Sequence, residues 1–285
     1  MKKIFLVSTI LFQLKFAFGQ ESNCGFDISK KQKIKFSADV TRFKNSFILT
    51  NETIEIPVVF HIIYNGDYNN IDSKRILAEL EDLNQNFLLL NDISNVPSEF
   101  RHLVGNSKIK FTLATIDPNG NQTNGIIRKK ANRRTYNFKH HIFYADPIWN
   151  PKKYLNIYIG EIRNGRGNRT NYVNSYSWKN SLTDAIGLSY NWVGNSTRVL
   201  THETGHWLGL WHIIEGGCSG ENDGIKDTPR QITFTHGCPE KKFECNNACM
   251  FMNYMDYSNC RTMFTIGQIE QMRLIISKYR PGLIK

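Results

Sequence analysis

Residues 202 to 212 read His-Glu-Thr-Gly-His-Trp-Leu-Gly-Leu-Trp-His, and no other run constrains the fold of this chain as tightly. His202 and His206 are four apart, so a helix sets both imidazoles on one face. Two neutral imidazoles suit a borderline-soft zinc ion, and a catalytic zinc takes three protein ligands with one position left for water. Glu203 adjoins the first ligand, where a carboxylate can accept a proton from that water and hand it to a leaving amine. Gly209 stands three residues after His206. A glycine can turn left-handed there, ending the helix and bringing His212 back as third ligand. A helix that merely happens to hold histidines is the plain alternative, and the full spacing argues against it.

A second signal lies downstream in Met252-Asn253-Tyr254-Met255-Asp256-Tyr257. Alone, methionine among aromatic residues packs as ordinary core. Behind a long histidine motif it reads as the methionine-containing turn that metzincin peptidases place beneath a three-histidine zinc site. The run Asn253 to Ser258, then Cys260, Phe264-Thr265 and Gln268, resembles the pappalysin family of metzincins. Trp207, Gly216-Gly217-Cys218, Asp227-Thr228-Pro229 and an opening strand from Ile56 to Ile63 carry the same likeness. It covers roughly residues 52 to 280 and is most specific from 200 to 270.

The resemblance implies an α/β fold of the metzincin zincin type: a twisted mixed β-sheet with a backing helix and a zinc-binding helix. An irregular C-terminal subdomain with the Met-turn and a C-terminal helix would lie beneath. It implies a zinc metalloendopeptidase in which His202, His206 and His212 hold the metal and Glu203 is base and then acid. Met255 would floor the site without ligating, and Tyr257 would stabilise the tetrahedral oxyanion. Disulfides Cys218–Cys245 and Cys238–Cys260 are implied in the same way. So is a calcium site at Asp223, the Ile225 carbonyl and Thr228, although Lys226 stands where a relative can carry another acid. An ordinary polar turn remains the alternative there.

The first residues set the expected compartment. Lys2 and Lys3 precede an apolar run from Ile4 to Phe18, interrupted by Lys15, with Ala17 and Gly19 around a cut after Gly19. The run is too short, and carries a charge too many, for a membrane helix. The expected organisation is a signal peptide at 1–19, a pro-segment at about 20–51 and a catalytic domain at 52–285, in a secreted or periplasmic protein. Five of the six cysteines lie between Cys218 and Cys260, which in an exported chain reads as loop-holding disulfides, with a structural zinc cluster as the rival reading. Cys24 has two readings. The family can use a pro-segment cysteine to block the catalytic zinc, since a thiolate is a good ligand; alternatively Cys24 pairs with Cys249. The family's preference for cutting before a basic residue makes Arg42 and Lys44 candidate activation points.

The formal charge of +11 falls to +8 without Lys2, Lys3 and Lys15, and part of the excess sits in Arg128-Lys129-Lys130 and Arg133-Arg134. No nucleic-acid motif surrounds that run, so it is expected to be a solvated basic loop. Strands are expected at 53–64, 108–114 and 154–162, with a backing helix from Asp72 to Leu90 capped by Asp72 or Ser73. Gly187 to Val193 is the expected edge strand, pairing with an extended protein or peptide substrate. Asn195 or Ser196 is expected to cap the zinc helix. Thr265-Ile266-Gly267-Gln268 forms a capping box opening a helix to about Lys278. His61 is expected to be a packed or hydrogen-bonded strand histidine, and His102, His140, His141 and His236 are equally unremarkable. Asn51, Asn121, Asn168 and Asn195 open Asn-x-Ser/Thr acceptor sites. A monomer without nucleic-acid partner is expected. The rival function is an exported binding or adhesion protein that keeps a metzincin fold without catalysis.

Overall fold

The computed structural model describes residue 24 and residues 30–136, 142–163, 170–173 and 183–284, the side chains of 30–32 excepted. The expected signal peptide, His140, His141 and Asn168 lie outside the described residues.

The sheet grows outward from one strand. β1 (Ile54–Tyr64) is buried on both faces almost throughout, which is why it reads as a continuous apolar run. Its first half pairs in parallel with β2 (Ile109–Leu113), and its second half, on the same edge, with β3 (Ile126–Lys130). On the other edge lies β4 (Leu155–Gly160), followed by β6 (Ala185–Ser189), both parallel. β5 (Tyr172–Val173) closes the order β2-β1-β4-β6-β5 and is antiparallel to β6. The basic run is therefore part strand rather than loop. Arg128 sits in β3 and donates to Asn70 Oδ1 and the Ile71 carbonyl, so pairing with β1 and its own hydrogen bonds order it.

The edge assignment also needs correction. Residues 185–189 are flanked on both sides, and Tyr190–Trp192 leaves the sheet as a 3-10 turn, so β5 is the edge among the described residues. The apolar pattern of 187–193 could not reveal its neighbours.

α1 (Lys30–Lys44) was not foreseen and is described below. The backing helix α2 (Ser73–Phe87) starts at Asp72, whose side chain accepts from the Arg75 amide, and it buries Ile76, Leu80, Leu83 and Phe87 against the sheet. It ends three residues earlier than expected, where Leu89 turns to φ 54°. Short helices α3 (Ser98–Arg101) and α4 (Ile142–Ala145) are satellites. The zinc-motif helix α5 (Val199–Trp207) is buried along its whole length. Its cap is Arg198 with φ 57°, not Asn195 or Ser196, because the preceding loop doubles back through positive φ at Gly194, Ser196 and Arg198.

Beyond α5 the chain is mostly irregular, with a small hairpin of β7 (Phe243–Glu244) and β8 (Asn247–Ala248). Disulfides Cys218–Cys245 and Cys238–Cys260 tie it together, the pairs implied by the resemblance. Neither Cys24 nor Cys249 is in a disulfide, which removes the Cys24–Cys249 alternative. α6 (Ile266–Tyr279) opens on the reciprocal capping box of Thr265 and Gln268. Among the described residues no helix is long and apolar enough to cross a membrane.

Candidate active site

The three histidines meet at one point. His206 Nε2 lies 3.1 Å from both His202 Nε2 and His212 Nε2. Helical spacing supplies the first two, and the turn at Gly209, with φ +89°, supplies the third. A side chain at Gly209 would meet Ile275 at 2.8 Å, so both conformation and space demand glycine. His202 Nδ1 donates to the Tyr254 carbonyl at 2.7 Å and His206 Nδ1 to the Leu210 carbonyl at 2.8 Å. A carbonyl only accepts, so each proton is fixed on Nδ1 and each Nε2 lone pair points inward. Burial holds His206 down to about 3, and burial with mutual repulsion keeps His202 and His212 well below the usual imidazole range. Three converging neutral imidazoles, two of them oriented from behind, are the donor set a zinc ion requires.

Glu203 is 1% exposed, and burial raises its carboxyl to about 8, against opposing contributions from Cys24 and Arg261. Cys24 Sγ stands 3.6 Å from Glu203 Oε2, and Cys24 joins the three histidines in a cluster of donor atoms all within 4.8 Å. Cys24 also forms a parallel bridge with Asn171, beside β5. Beneath the helix, Met255 is fully buried, and a Cβ placed on Gly205 would fall 2.6 Å from its sulfur. Glycine thus lets the methionine turn press directly against the zinc helix. Tyr257 brings its hydroxyl within 3.4 Å of His212 Nε2, and burial pushes its phenol far above the usual range.

At a distance, Thr228 Oγ1 donates to Asp223 at 2.8 Å and lies 3.0 Å from the Ile225 carbonyl, so these three residues share one pocket of oxygens. Burial raises Asp223 to about 7. Nearby, Asp227 accepts from Thr265 Oγ1 and the Gly267 amide, linking this loop to the start of α6. His61 is a buried strand histidine whose Nδ1 meets Asp146 Oδ2 at 2.6 Å and whose Nε2 meets Asn156 Oδ1 at 3.0 Å.

Comparison with known proteins agrees with this geometry. The family model described as pregnancy-associated plasma protein-A matches residues 139–277. A promirolysin mutant from Tannerella forsythia shares 33% identity at a TM-score of 0.81, over 92% of this chain and 97% of that one. The chain belongs to the pappalysin family. Mature mirolysin of the same organism, solved with a cleaved peptide, shares 37% identity at a TM-score of 0.72, over 83% of this pappalysin and 100% of that chain. An extracellular metalloprotease of Sordaria macrospora is 26% identical over 90% of the chain and 89% of its own length. This pappalysin is a zinc metalloendopeptidase of metzincin fold.

Sequence reasoning missed several supports of the site. Asn86 on α2 donates to Thr201 Oγ1 and accepts from the Tyr254 hydroxyl, while the Tyr254 carbonyl orients His202. Asn253 and Gln268 exchange amide hydrogen bonds, fastening the methionine turn to α6. Arg261 is a buried guanidinium joining the carbonyls of Asp256 and Thr197, and burial lowers it to about 10. Phe234 stacks flat on Tyr257 at 3.8 Å and meets His212 edge-on. Asn86, Arg261 and Phe234 have no sequence spacing that announces them, and Asn253 and Gln268, part of the family likeness, gave no sign of the bonds between them.

Proposed function

We propose that this pappalysin is exported in latent form and hydrolyses peptide bonds with Glu203 as proton carrier at a zinc held by His202, His206 and His212. The observation that carries this reading is that His206 Nε2 lies 3.1 Å from the Nε2 atoms of both His202 and His212, beside the buried carboxyl of Glu203. Lone pairs that close repel one another unless a cation lies between them. A zinc held by these three residues would supply Lewis acidity for the scissile carbonyl and would lower the pKa of water towards neutral pH. Glu203 takes the proton from the attacking water and delivers it to the leaving nitrogen. The Tyr257 hydroxyl then donates to the oxygen that becomes negative, and Met255 keeps the underside dry.

Substrate binds in extended form against the edge of the sheet, and β5 rather than 187–193 is the strand that would receive it. The parallel bridge of Cys24 with Asn171, next to β5, supports this. In the latent form Cys24 would add a sulfur donor to the three histidines that hold the zinc, and its thiol stands against Glu203. The division into signal peptide 1–19, pro-segment 20–51 and catalytic domain 52–285 follows from this reading. Extracellular relatives support secretion. Asp223, the Ile225 carbonyl and Thr228 would hold calcium, whose charge a buried carboxyl with raised affinity for protons would welcome.

Glu203→Ala tests the mechanism. The activated variant should bind zinc stoichiometrically and melt like wild type, yet lose roughly 10^2- to 10^4-fold or more in turnover. Casein cleavage at near wild-type rate would remove Glu203 from the mechanism.

A further inference from the structure

α1 places a basic helix against the far side of the zinc motif. Phe36 is 5% exposed, its ring centroid 5.6 Å from that of Trp211, and its ring tip lies 3.2 Å from where a Gly209 Cβ would be. It shares a small buried cluster with Trp211 and Ile275, against which Val40 and Tyr279 also pack. Charge reinforces the fit. Lys33 pairs with Glu215 and sits over Trp211, Lys44 reaches Glu270 at 3.5 Å, and Lys278 lies 3.7 Å over the ring of Phe43. Every one of these contacts is made by residues 33–44, and none touches a zinc ligand's side chain.

The chain that follows is different in kind. Residues 45–51 form no helix or strand and are exposed apart from Phe47, with Ile48 82% exposed. Exposed irregular segments are where proteases cut. Scission there severs the covalent link and leaves all the α1 contacts intact. A cut before Lys44 would still spare Phe36, Val40, Lys33 and Phe43.

We propose that α1 is a second, metal-independent anchor of the pro-segment, and that the severed fragment stays seated on α6 and Trp211 as a noncovalent inhibitor. This rests on the latency reading above only for the inhibition; the docking stands on its own contacts. The partner of this face is thus the chain's own basic amphipathic helix. Helix and thiolate act as two linked anchors, so each raises the local concentration of the other. Activation then has two steps, a cut and a departure, and only the second opens the cleft.

The full chain is the material for the test. After it is cut, by itself or by limited trypsin treatment, size-exclusion chromatography without denaturant should carry the fragment with the enzyme, as intact-mass measurement would show. Activity should appear after dilution, with a lag behind the cut. Phe36→Ala should lose both retention and lag while Cys24 is intact. Should that variant fold poorly, a synthetic peptide of residues 28–44, which lacks Cys24, can be titrated into activated wild-type enzyme and followed by tryptophan fluorescence. Saturable binding is expected, weakened roughly 10- to 100-fold by Phe36→Ala, the value of one buried phenylalanine. Activity rising in step with the cut, or a peptide that fails to bind, overturns the second anchor. A silent Cys24→Ala zymogen would instead remove the thiolate block and leave the peptide result standing.

Discussion

Tyr257 is held by its ring more than by its hydroxyl. The ring lies flat on Phe234 with an interplanar angle of 2°, while the hydroxyl stands 3.4 Å from His212 Nε2, at the outer limit of a hydrogen bond. A phenol kept protonated by burial and steered by stacking can move its O–H toward an oxygen that becomes negative. Tyr257→Phe keeps the stack and removes only the donor. Turnover should fall by roughly 10^2- to 10^3-fold with KM little changed, because the lost bond belongs to the transition state. Steady-state kinetics on a quenched peptide decide it, and unchanged kcat would make Tyr257 a packing residue. At this scale the meeting of His202, His206 and His212 was legible because metal geometry forces a fixed spacing on neighbouring residues. Asn86, Phe234 and Arg261 were not, since each reaches the site from a separate element and only the tertiary fold brings them together.

Between elements, α2 grips the loop that leads into α5. Glu79 accepts from the Gly194 amide at 2.6 Å, and Arg75 donates to the carbonyls of Val193 and Tyr190. Burial raises the Glu79 carboxyl from its ordinary 4.5 to about 7. A carboxyl raised on folding binds more protons folded than unfolded between those two values, so stability falls as pH rises across that window. Glu79→Gln keeps the acceptor for Gly194 and cannot ionise. It should match wild type below pH 4.5 and gain stability by pH 8, by roughly 1.4 kcal/mol for each unit of the shift. Denaturant titrations at the two pH values test this; an equal difference at both would leave Glu79 without an ionisation cost. Elements with strong period or capping chemistry, such as α2 and α6, were readable from the chain. The cap of α5 was not, because its loop bends through left-handed residues chosen by the grip of α2 rather than by local capping preference. α1 was also missed, as a strongly basic run whose few apolar residues make sense only against Trp211 and Ile275.

For the whole molecule, Cys24 lies among the histidines while α1 packs behind the motif on Trp211 and Ile275, and these two contacts separate by mutation. Cys24→Ala in the full chain should give activity before any cut, because no thiol remains beside Glu203 and the histidines. Peptide-cleavage assays on uncut protein, with mass measurement to verify that it is uncut, check this; a variant as silent as wild type would assign latency to the chain segment rather than the thiol. The overall architecture was legible because the histidine and methionine motifs belong together in one kind of fold. The sheet order was not, since it depends on pairings far apart in the chain.

That order bears on when the chain can fold. β1 spans residues 54–64, yet its partners arrive at 109–113, 126–130 and 155–159, and the methionine turn is fastened by Gln268 of α6. Long-range pairings of this kind form slowly, because distant segments must meet before any contact rewards them. The sheet around β1 therefore cannot be completed until residues as far on as 155–159 are free to pair. α6, which fastens the methionine turn, is also the surface on which α1 packs, so the floor of the site and the seat of α1 form in the same event.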